Sequence, residues 1–353
     1  MRYEYPILNR VFHHFNDKEH DVSGTFLVCC QHLLEPQLKM FEFFIKFGFD
    51  PKKIFVLGKA YSTNIEVFNE LKSLGINVFQ PEFTGKAFDV EHRENCEEIL
   101  KKIPENTKVI ILDDGAELIK TFYDKGTPIL FSVEQTSSGF RKLEGENVSF
   151  PIFNVARSST KLNHESPFIA RQGFERLKDY FINKGINDPL VLIVGLGPIG
   201  EAISEIFLQN NFRTMGFDIK KGHTDLINFI ISKNPDLIIG CTGTNILSKD
   251  DVEKISISKK MYLVSASSSD REFPAAYFRV GTNIHDDVEY KNVTFLNNGF
   301  PITFKGNRNE NTPFEMEKTI ALLMGSVLNG AINQELPPGF IDVSRNLEEI
   351  INS

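Results

Sequence analysis

The chain has 353 residues, a formal net charge of −8 at pH 7, and 41% hydrophobic residues. This length suits two domains better than one core, and the composition is that of an ordinary globular protein. The negative charge, without a clustered basic face, excludes a nucleic-acid backbone as partner.

The cysteines and the apolar stretches exclude further classes. The cysteines are Cys29, Cys30, Cys96 and Cys241, and they form no CxxC pair, so neither a disulfide framework nor a metal site is indicated. No apolar stretch reaches the length that spans a membrane, and the first residues lack the layout of a signal peptide. We therefore expect a cytoplasmic protein with no membrane partner.

The first half of the chain alternates between strand-like and helix-like patterns. This rhythm predicts a parallel sheet with helices on both faces. Strands are predicted at 24–33, 53–58, 76–80, 108–112, 128–135 and 149–155. Helices are predicted at 35–49, 64–75 and 95–102, the first two ending near Gly48 and Gly75.

The second half predicts a separate domain. Residues 166–188 have the pattern of one amphipathic helix followed by a turn, which we interpret as the connector. A strong helix is predicted near 312–332, followed by a short polar end. We therefore predict an α/β protein with two doubly wound domains. A Rossmann domain at 166–312 is inserted into a substrate-binding domain formed by 1–165 and 313–353.

A glycine-rich turn at the start of the second domain predicts a dinucleotide site. The segment LVLIVGLGPIGEAI at 190–203 holds Gly195, Gly197 and Gly200, with Pro198 and Ile199 between the last two. The first glycine permits a tight turn, the second a close approach to a pyrophosphate, and the third close packing of helix on strand. An apolar strand precedes the turn and a helical pattern follows it, as such a site requires.

Two later segments supply further candidate cofactor contacts. Asp218 ends the next predicted strand, 18 residues after Gly200, at the position of a carboxylate that binds ribose hydroxyls. An acid there favours NAD over NADP, although Lys220 and Lys221 follow it closely. The loop CTGTN at 241–245 ends another strand. We expect its Thr242, Gly243 and Asn245 to border the cofactor, with an ordinary turn as the alternative.

Several segments together resemble one enzyme family. ILDDGAEL (111–118), EQTSSG (134–139), PIFNVARSSTK (151–161), GLGPIG and CTGTN occur in the order found in S-adenosylhomocysteine hydrolases, and CQHLLEP (30–36) and YSTN (61–64) resemble that family's substrate motifs. The resemblance covers residues 25 to 330. It implies a substrate domain followed by an inserted NAD domain. It also implies transient oxidation of a nucleoside 3′-hydroxyl, which acidifies the neighbouring C4′–H and lets the 5′-thiol leave.

The resemblance implies roles for individual residues. His32 resembles the histidine that assists at the 5′ leaving group, Asp114 a carboxylate of the proton relay, and Lys161 the lysine that assists 3′-oxidation. Glu165 keeps a carboxylate after that lysine. Residues resembling a threonine run that touches NAD are Thr136, Ser137 and Ser138. Residues implied to contact the substrate are Glu134, Gln135, Ser62 and Thr63.

The sequence also departs from the family pattern. Gln135 replaces an acid, Glu165-Ser166 an Asp-Asn pair, and Ala170 a cysteine near the nicotinamide. Ser268 and Thr303 replace a histidine and an asparagine. The family's C-terminal tail, which reaches a neighbouring subunit's NAD, has no counterpart here. We therefore expect exchangeable NAD, and a homodimer as the favoured assembly.

Three functions remain open at this point. The first is an NAD-dependent enzyme of this family acting on S-adenosylhomocysteine or a related nucleoside. The second is a catalytically silent relative that binds NAD or a nucleoside. The third is an NAD-dependent dehydrogenase of a small hydroxy acid, for which His285 with Asp286 would have to serve as the catalytic pair.

Overall fold

The computed structural model describes residues 3–257, 259–281, 283–308, 313–333 and 335–353. It divides into two compact units. The first comprises Met1–Glu82, Glu91–Glu165 and Gly306–Ser353, and the second comprises Phe83–Val90 and Ser166–Lys305.

The first unit is built on a seven-stranded sheet in which every pairing is parallel. Its strands are β1 (Phe26–Leu33), β2 (Ile54–Thr63), β3 (Asn77–Phe79), β4 (Val109–Asp113), β5 (Ile129–Glu134), β6 (Pro151–Asn154) and β13 (Gly339–Asp342). Their order is β13-β6-β5-β4-β1-β2-β3, so the chain winds outward from β1 in both directions. The point where the direction reverses lies between β1 and β4.

Helices cover both faces of this sheet. They are α1 (Pro6–Asn16), α2 (Glu35–Phe47), α3 (Ile65–Ser73), α4 (Phe88–Leu100), α5 (Glu117–Asp124), α6 (Ser137–Leu143), α11 (Pro313–Ile332) and α12 (Arg345–Asn352). Alternate residues of β1 face opposite layers. Leu27 and Cys29 pack into the core that α1, α2 and α11 complete, whereas Val28 and Cys30 pack into the core of α4 and α5.

The second unit has a six-stranded sheet of its own. Its strands are β7 (Leu190–Val194), β8 (Arg213–Phe217), β9 (Leu237–Gly240), β10 (Met261–Ser265), β11 (Val288–Tyr290) and β12 (Val293–Phe295). The order is β11-β12-β10-β9-β7-β8, with only the β11–β12 pairing antiparallel. Its helices are α7 (Ser159–Lys184), which starts in the first unit, α8 (Pro198–Gln209), α9 (Leu226–Lys233) and α10 (Lys249–Ile255).

The predicted fold class, α/β with two doubly wound sheets, is confirmed. Two local predictions are wrong. The helix predicted from residue 166 begins at Ser159, so it carries Lys161 and Glu165 in its first turns. The segment predicted as a polar end forms β13 and α12; β13 pairs with β6, and Leu347 and Ile351 of α12 are buried. Residues 83–90, predicted in the first domain, group with the second unit.

Over the residues that the structure describes, no helix combines the length and the apolar character needed to cross a bilayer.

Candidate functional site

Polar side chains collect at the carboxyl ends of the strands in the first unit. His32 is the last residue but one of β1, and Asp113, Glu134 and Asn154 are the last residues of β4, β5 and β6. In a parallel sheet these ends lie on the same edge, and ligands of doubly wound sheets bind there, beside the reversal point. His32 and Asp114 come from the two strands that flank that point.

A bulge in β2 brings a lysine to the same edge. Gln31 pairs with Gly58 and Leu33 pairs with Thr63, so β1 advances two residues while β2 advances five. The Thr63 hydroxyl closes the bulge by donating to the Lys59 carbonyl oxygen over 2.8 Å. Bulges of this kind re-aim side chains beside active sites. Here the bulge carries Lys59, whose side chain is 2% exposed.

Asp114 joins this lysine to the histidine. The Lys59 ammonium donates to Asp114 Oδ1, and His32 Nε2 lies 3.1 Å from Asp114 Oδ2. The other ring nitrogen of His32, Nδ1, is paired with the Ser62 hydroxyl. The result is a continuous chain of contacts, Ser62–His32–Asp114–Lys59. Ser62 is fully buried, so its hydroxyl orients the imidazole and is not exposed to act as a nucleophile.

The electrostatics of the chain follow from burial and pairing. Burial lowers the pKa of His32, and the Asp114 carboxylate only partly opposes this. Burial alone would raise the pKa of Asp114, but the charges of Lys59 and His32 outweigh it and hold that pKa below its usual range. Burial also works against the charge of Lys59, but Asp114 holds the pKa of Lys59 above its usual value. At neutral pH the arrangement therefore contains a carboxylate, an ammonium and a neutral imidazole.

A second lysine–carboxylate pair lies on α7 at the same site. Lys161 Nζ donates to Glu165 Oε1 over 2.8 Å, and Glu165 Oε2 accepts a bond of 2.9 Å from the Thr319 hydroxyl of α11. Both charged side chains are largely buried. The charge of Glu165 raises the pKa of His32, which places this pair within electrostatic reach of the histidine. The structure thus brings together all four predicted catalytic residues, His32, Asp114, Lys161 and Glu165.

Glu134 and Asp113 form a buried acidic pair beside this site. Glu134 Oε1 accepts from the Thr136 amide and hydroxyl, at 2.7 Å each, and from the Gly115 amide at 3.2 Å, while Oε2 has no hydrogen-bond partner. Burial, with the neighbouring Asp113 charge, raises the pKa of Glu134 to about 8. Burial raises the pKa of Asp113 to about 6.

The side chains of the segment after β5 form hydrogen bonds with other protein groups. Thr136 is the N-cap of α6, and its hydroxyl bonds the Gly139 amide over 2.9 Å. Gln135 accepts a bond of 3.0 Å from Gln31, a buried residue of β1 that no sequence pattern singled out. Ser137 is exposed and Ser138 lies 3.1 Å from the Thr136 hydroxyl. Cofactor contacts by residues 136–138, and substrate contacts by Glu134, Gln135 and Thr63, stay predictions.

In the second unit the glycine-rich turn has the predicted geometry. Gly195 follows β7 with φ of +92°, a conformation that favours glycine. A Cβ atom on Gly200 would stand 1.9 Å from the Gly195 carbonyl oxygen, so the third glycine is needed for α8 to pack on β7. A Cβ atom on Gly197 would meet nothing within 4 Å. Pro198 and Ile199 open α8, whose N-terminus faces this space and favours an anion.

Asp218 lies against the same turn. Its Oδ2 accepts from the Leu196 amide over 2.7 Å and its Oδ1 from the Lys220 amide over 2.8 Å. These bonds lower the pKa of Asp218. The carboxylate is thus ionised and fixed beside the glycine-rich turn, as recognition of ribose hydroxyls requires.

A buried glutamate shapes the loop after β9. Glu272 Oε1 accepts from the Thr242 and Gly243 amides at 2.5 Å and 3.0 Å, and Glu272 Oε2 accepts from the Ser265 hydroxyl at 2.8 Å. Asn245 is exposed. The loop follows the strand next to β7, at the reversal point of this sheet, where dinucleotides bind. The residues of this unit therefore fit a nicotinamide dinucleotide.

The pair that a hydroxy-acid dehydrogenase would need does not form. His285 Nδ1 bonds Asn297 Oδ1 over 3.0 Å, and Asp286 Oδ1 accepts from the Asn283 amide group over 2.7 Å. The third hypothesis therefore lacks the histidine–carboxylate pair that it requires of His285 and Asp286. Asn297 provides an amide oxygen, which cannot stabilise an imidazolium as a carboxylate does.

Lys59 is the main residue of these sites that sequence reasoning did not identify, and Glu272 is one to which it gave no role. A lysine directly after the apolar run IFVLG was the available signal for Lys59. Its partner, however, is set by the bulge, which has no local signature. Glu272 acts on a loop 30 residues earlier, so only the fold reveals its role.

No family model matches this chain. Two uncharacterized proteins of Mycobacterium tuberculosis, from strains CDC 1551 / Oshkosh and ATCC 25618 / H37Rv, are each 31% identical to it. The alignments cover 89% of this chain and 66% of each relative, so the chain spans just under two thirds of their length.

Solved structures similar to this chain include a dipicolinate synthase component from Bacillus halodurans. That likeness has a TM-score of 0.45 at 11% identity and covers 88% of this chain and 99% of that one. A glyoxylate reductase from Paecilomyes thermophila and a 2-hydroxyacid dehydrogenase from Ketogulonicigenium vulgare Y25 each give 0.40 at 11% identity, covering 90% of this chain and 98% of theirs. At these values the likenesses carry no argument about function.

Proposed function

We propose that this protein is an NAD-dependent enzyme that transiently oxidises the 3′-hydroxyl of S-adenosylhomocysteine or a related nucleoside. The observation that carries the proposal is the acid–base cluster of the first unit, Ser62–His32–Asp114–Lys59 with Lys161–Glu165 beside it. The order of the motifs that resemble S-adenosylhomocysteine hydrolases supports the same substrate class.

The charges of the cluster favour an uncharged reacting group. Lys59 and Lys161 each face a carboxylate, Asp114 and Glu165 respectively. The carboxylate of a small hydroxy acid would need a further cation, because burying an unpaired charge is costly. Two arginines of the second unit already form ion pairs, Arg271 with Asp89 and Arg279 with Asp270. A sugar hydroxyl needs only hydrogen-bond partners, which this cluster provides.

The dinucleotide would be held by the second unit. The open space at Gly197 and the N-terminus of α8 would receive its pyrophosphate, and Asp218 would bind its ribose hydroxyls. When bound, the cofactor supplies a reversible two-electron oxidation of the substrate hydroxyl.

The first unit supplies the proton chemistry. As the 3′-hydroxyl is oxidised, its proton passes to Lys161 Nζ while Lys161 gives a proton to Glu165, and the Thr319 hydroxyl holds Glu165 in place. Asp114 takes part in the relay that moves the C4′ proton, and His32 assists the departure of the 5′ leaving group. Both ring nitrogens of His32 are already hydrogen bonded, so one of these contacts exchanges when substrate arrives.

The test is to load the purified protein with NAD and add adenosine or S-adenosylhomocysteine separately while following nicotinamide absorbance and fluorescence. The proposal requires bound NADH to appear, and 3′-deoxyadenosine, which lacks the oxidised hydroxyl, must give none. Lactate and glycerate serve as hydroxy-acid controls. NAD binding without NADH from either nucleoside would contradict the proposal and favour a catalytically silent relative.

A further inference from the structure

A second, fully buried lysine takes part in the acid–base cluster. The Lys59 side chain is 2% exposed, as is that of Asp114, its partner. A buried ammonium is tolerated only with a close counter-charge, and breaking such a pair is strongly unfavourable. A bulge of three extra residues in β2 places this lysine at the edge where chemistry is proposed, and not on the surface.

The contacts of the cluster select one tautomer of the neutral imidazole. Asp114 Oδ2 is an acceptor, so the nearby His32 Nε2 carries a proton toward it. In the neutral ring, His32 Nδ1 then has no proton and accepts from the Ser62 hydroxyl. This tautomer persists only while the Asp114 carboxylate stays ionised and in place.

We propose that Lys59 is a positioning residue: by fixing and neutralising the Asp114 carboxylate, it keeps His32 as the neutral imidazole protonated at Nε2. The inference deepens the proposed function, on which it rests for the task of His32. Lys59 itself touches Asp114 and acts on the reaction through it.

Charge balance gives the physical reason. The ammonium and the carboxylate cancel, so a neutral imidazole leaves the buried cluster without net charge. If Lys59 loses its charge, the same neutrality requires His32 to take up a proton. The groups that face His32 are Asp114 after β4, Lys59 and Tyr61 on β2, and Glu165 on α7. Of these, Lys59 is the one whose charge lowers the pKa of His32.

The experiment is ¹⁵N NMR of the imidazoles in histidine-labelled protein between pH 5 and 8. The chain has 8 histidines, and a His32→Gln variant assigns the signal of His32. In wild-type protein we expect the neutral Nε2–H pattern at pH 7 and above. In Lys59→Met we expect His32 to titrate, with its midpoint raised by about one pH unit or more relative to wild type.

Two variants serve as controls. Lys120→Met removes a lysine from a half-exposed pair with Glu146 and must leave the His32 signal unchanged. Lys59→Met/Asp114→Asn removes both charges, so the imidazole must stay neutral, as in wild type. A purely structural role for Lys59 would produce no such reversal.

The inference is overturned if His32 of the wild type is an imidazolium at pH 7, a result that needs no variant. It is also overturned if His32 of folded Lys59→Met titrates as in wild type. If Lys59→Met does not fold, Lys59→Gln takes its place and the wild-type titration still decides. These measurements use no substrate, so their result can be distinguished from a negative result in the NADH test.

Discussion

The two sheets of this chain share the same winding around their first strand, but the residues at their carboxyl ends differ in kind. In the first unit the edge is crowded with buried, paired charges: Lys59, Asp114, Lys161 and Glu165. In the second unit the edge presents backbone: a glycine-rich turn beside Asp218 and a loop held by Glu272. We propose that one topology serves proton transfer in one unit and recognition of an anionic ligand in the other.

The largest expected effect tests the acid–base role of the charged residues in the first unit. Asp114→Asn keeps the shape of the side chain but removes the charge that holds Lys59 and orients His32. We expect turnover of a nucleoside substrate to fall by about 10²–10⁴-fold, the range for loss of an acid–base group. NAD affinity, measured by fluorescence titration, must stay the same. A parallel loss of NAD binding would contradict the division of roles.

The second prediction concerns stability. Lys59→Met leaves Asp114 buried without its strongest counter-charge, so we expect the free energy of unfolding to drop by about 3–5 kcal/mol. Lys59→Met/Asp114→Asn removes both charges and must recover most of that loss. Urea unfolding of the three proteins makes the comparison. Equal losses in the single and double variants would show that packing, and not charge, stabilises this edge.

The third prediction uses two glycines of the same turn. A methyl group on Gly200 meets the Gly195 carbonyl oxygen, so Gly200→Ala must shift α8 and lower stability by about 1–3 kcal/mol. A methyl group on Gly197 meets no protein atom, so Gly197→Ala must keep its melting temperature and weaken NAD binding about tenfold. Calorimetry and NAD titration of the pair separate folding from recognition. Unchanged NAD affinity in Gly197→Ala would place the pyrophosphate elsewhere.

The smallest effect is a pH dependence. The pKa of Glu134 rises from 4.5 to about 8 on folding, so the folded protein binds more protons than the unfolded chain between these values. The contribution of Glu134 is therefore most favourable at low pH and is lost as pH rises through 8. Glu134→Gln must flatten the fall in melting temperature between pH 6 and 8.5, a range that lies above the pKa of about 6 of Asp113.

Glu117 gives the matched control for this measurement. Burial alone would raise the pKa of Glu117, but its bonds to Arg93 and Lys142 outweigh this and lower it. Its contribution therefore has the opposite sign: it is present at neutral pH and lost on acidification. Glu117→Gln must lower the melting temperature at pH 8, whereas Glu134→Gln must not. The same sign for both variants would contradict the buried state of Glu134.

How far the sequence predicted the molecule depends on how local each cause is. The strand–turn–helix at Gly195–Gly200 was predictable because the reason for each glycine lies in the turn itself or in the adjoining strand and helix. The start of α7 at Ser159 was not, because Thr160 and Ser159 bond Glu348 of α12, almost 190 residues away. Likewise β13 forms by pairing with the distant β6.

The candidate site divides in the same way. His32, Asp114, Lys161 and Glu165 were identified from ordered motifs, and the structure brings them together. The role of Lys59 depends on a bulge in β2. His285 is not a catalytic candidate because its Nδ1 is hydrogen bonded to Asn297 and not to a carboxylate. Neither feature is encoded in a short stretch of residues.

The most direct test of a nucleoside enzyme that joins redox and proton chemistry is hydrogen exchange at C4′. Adenosine is incubated with NAD-loaded protein in D₂O and its ribose protons are followed by NMR. We predict that deuterium enters C4′ in wild-type protein, because oxidation at C3′ acidifies that position and the first unit moves its proton. Gly197→Ala and Asp114→Asn must each slow the exchange, the first through the cofactor and the second through the acid–base cluster. Retention of the C4′ proton by a wild-type protein that binds NAD and adenosine would contradict the proposed function.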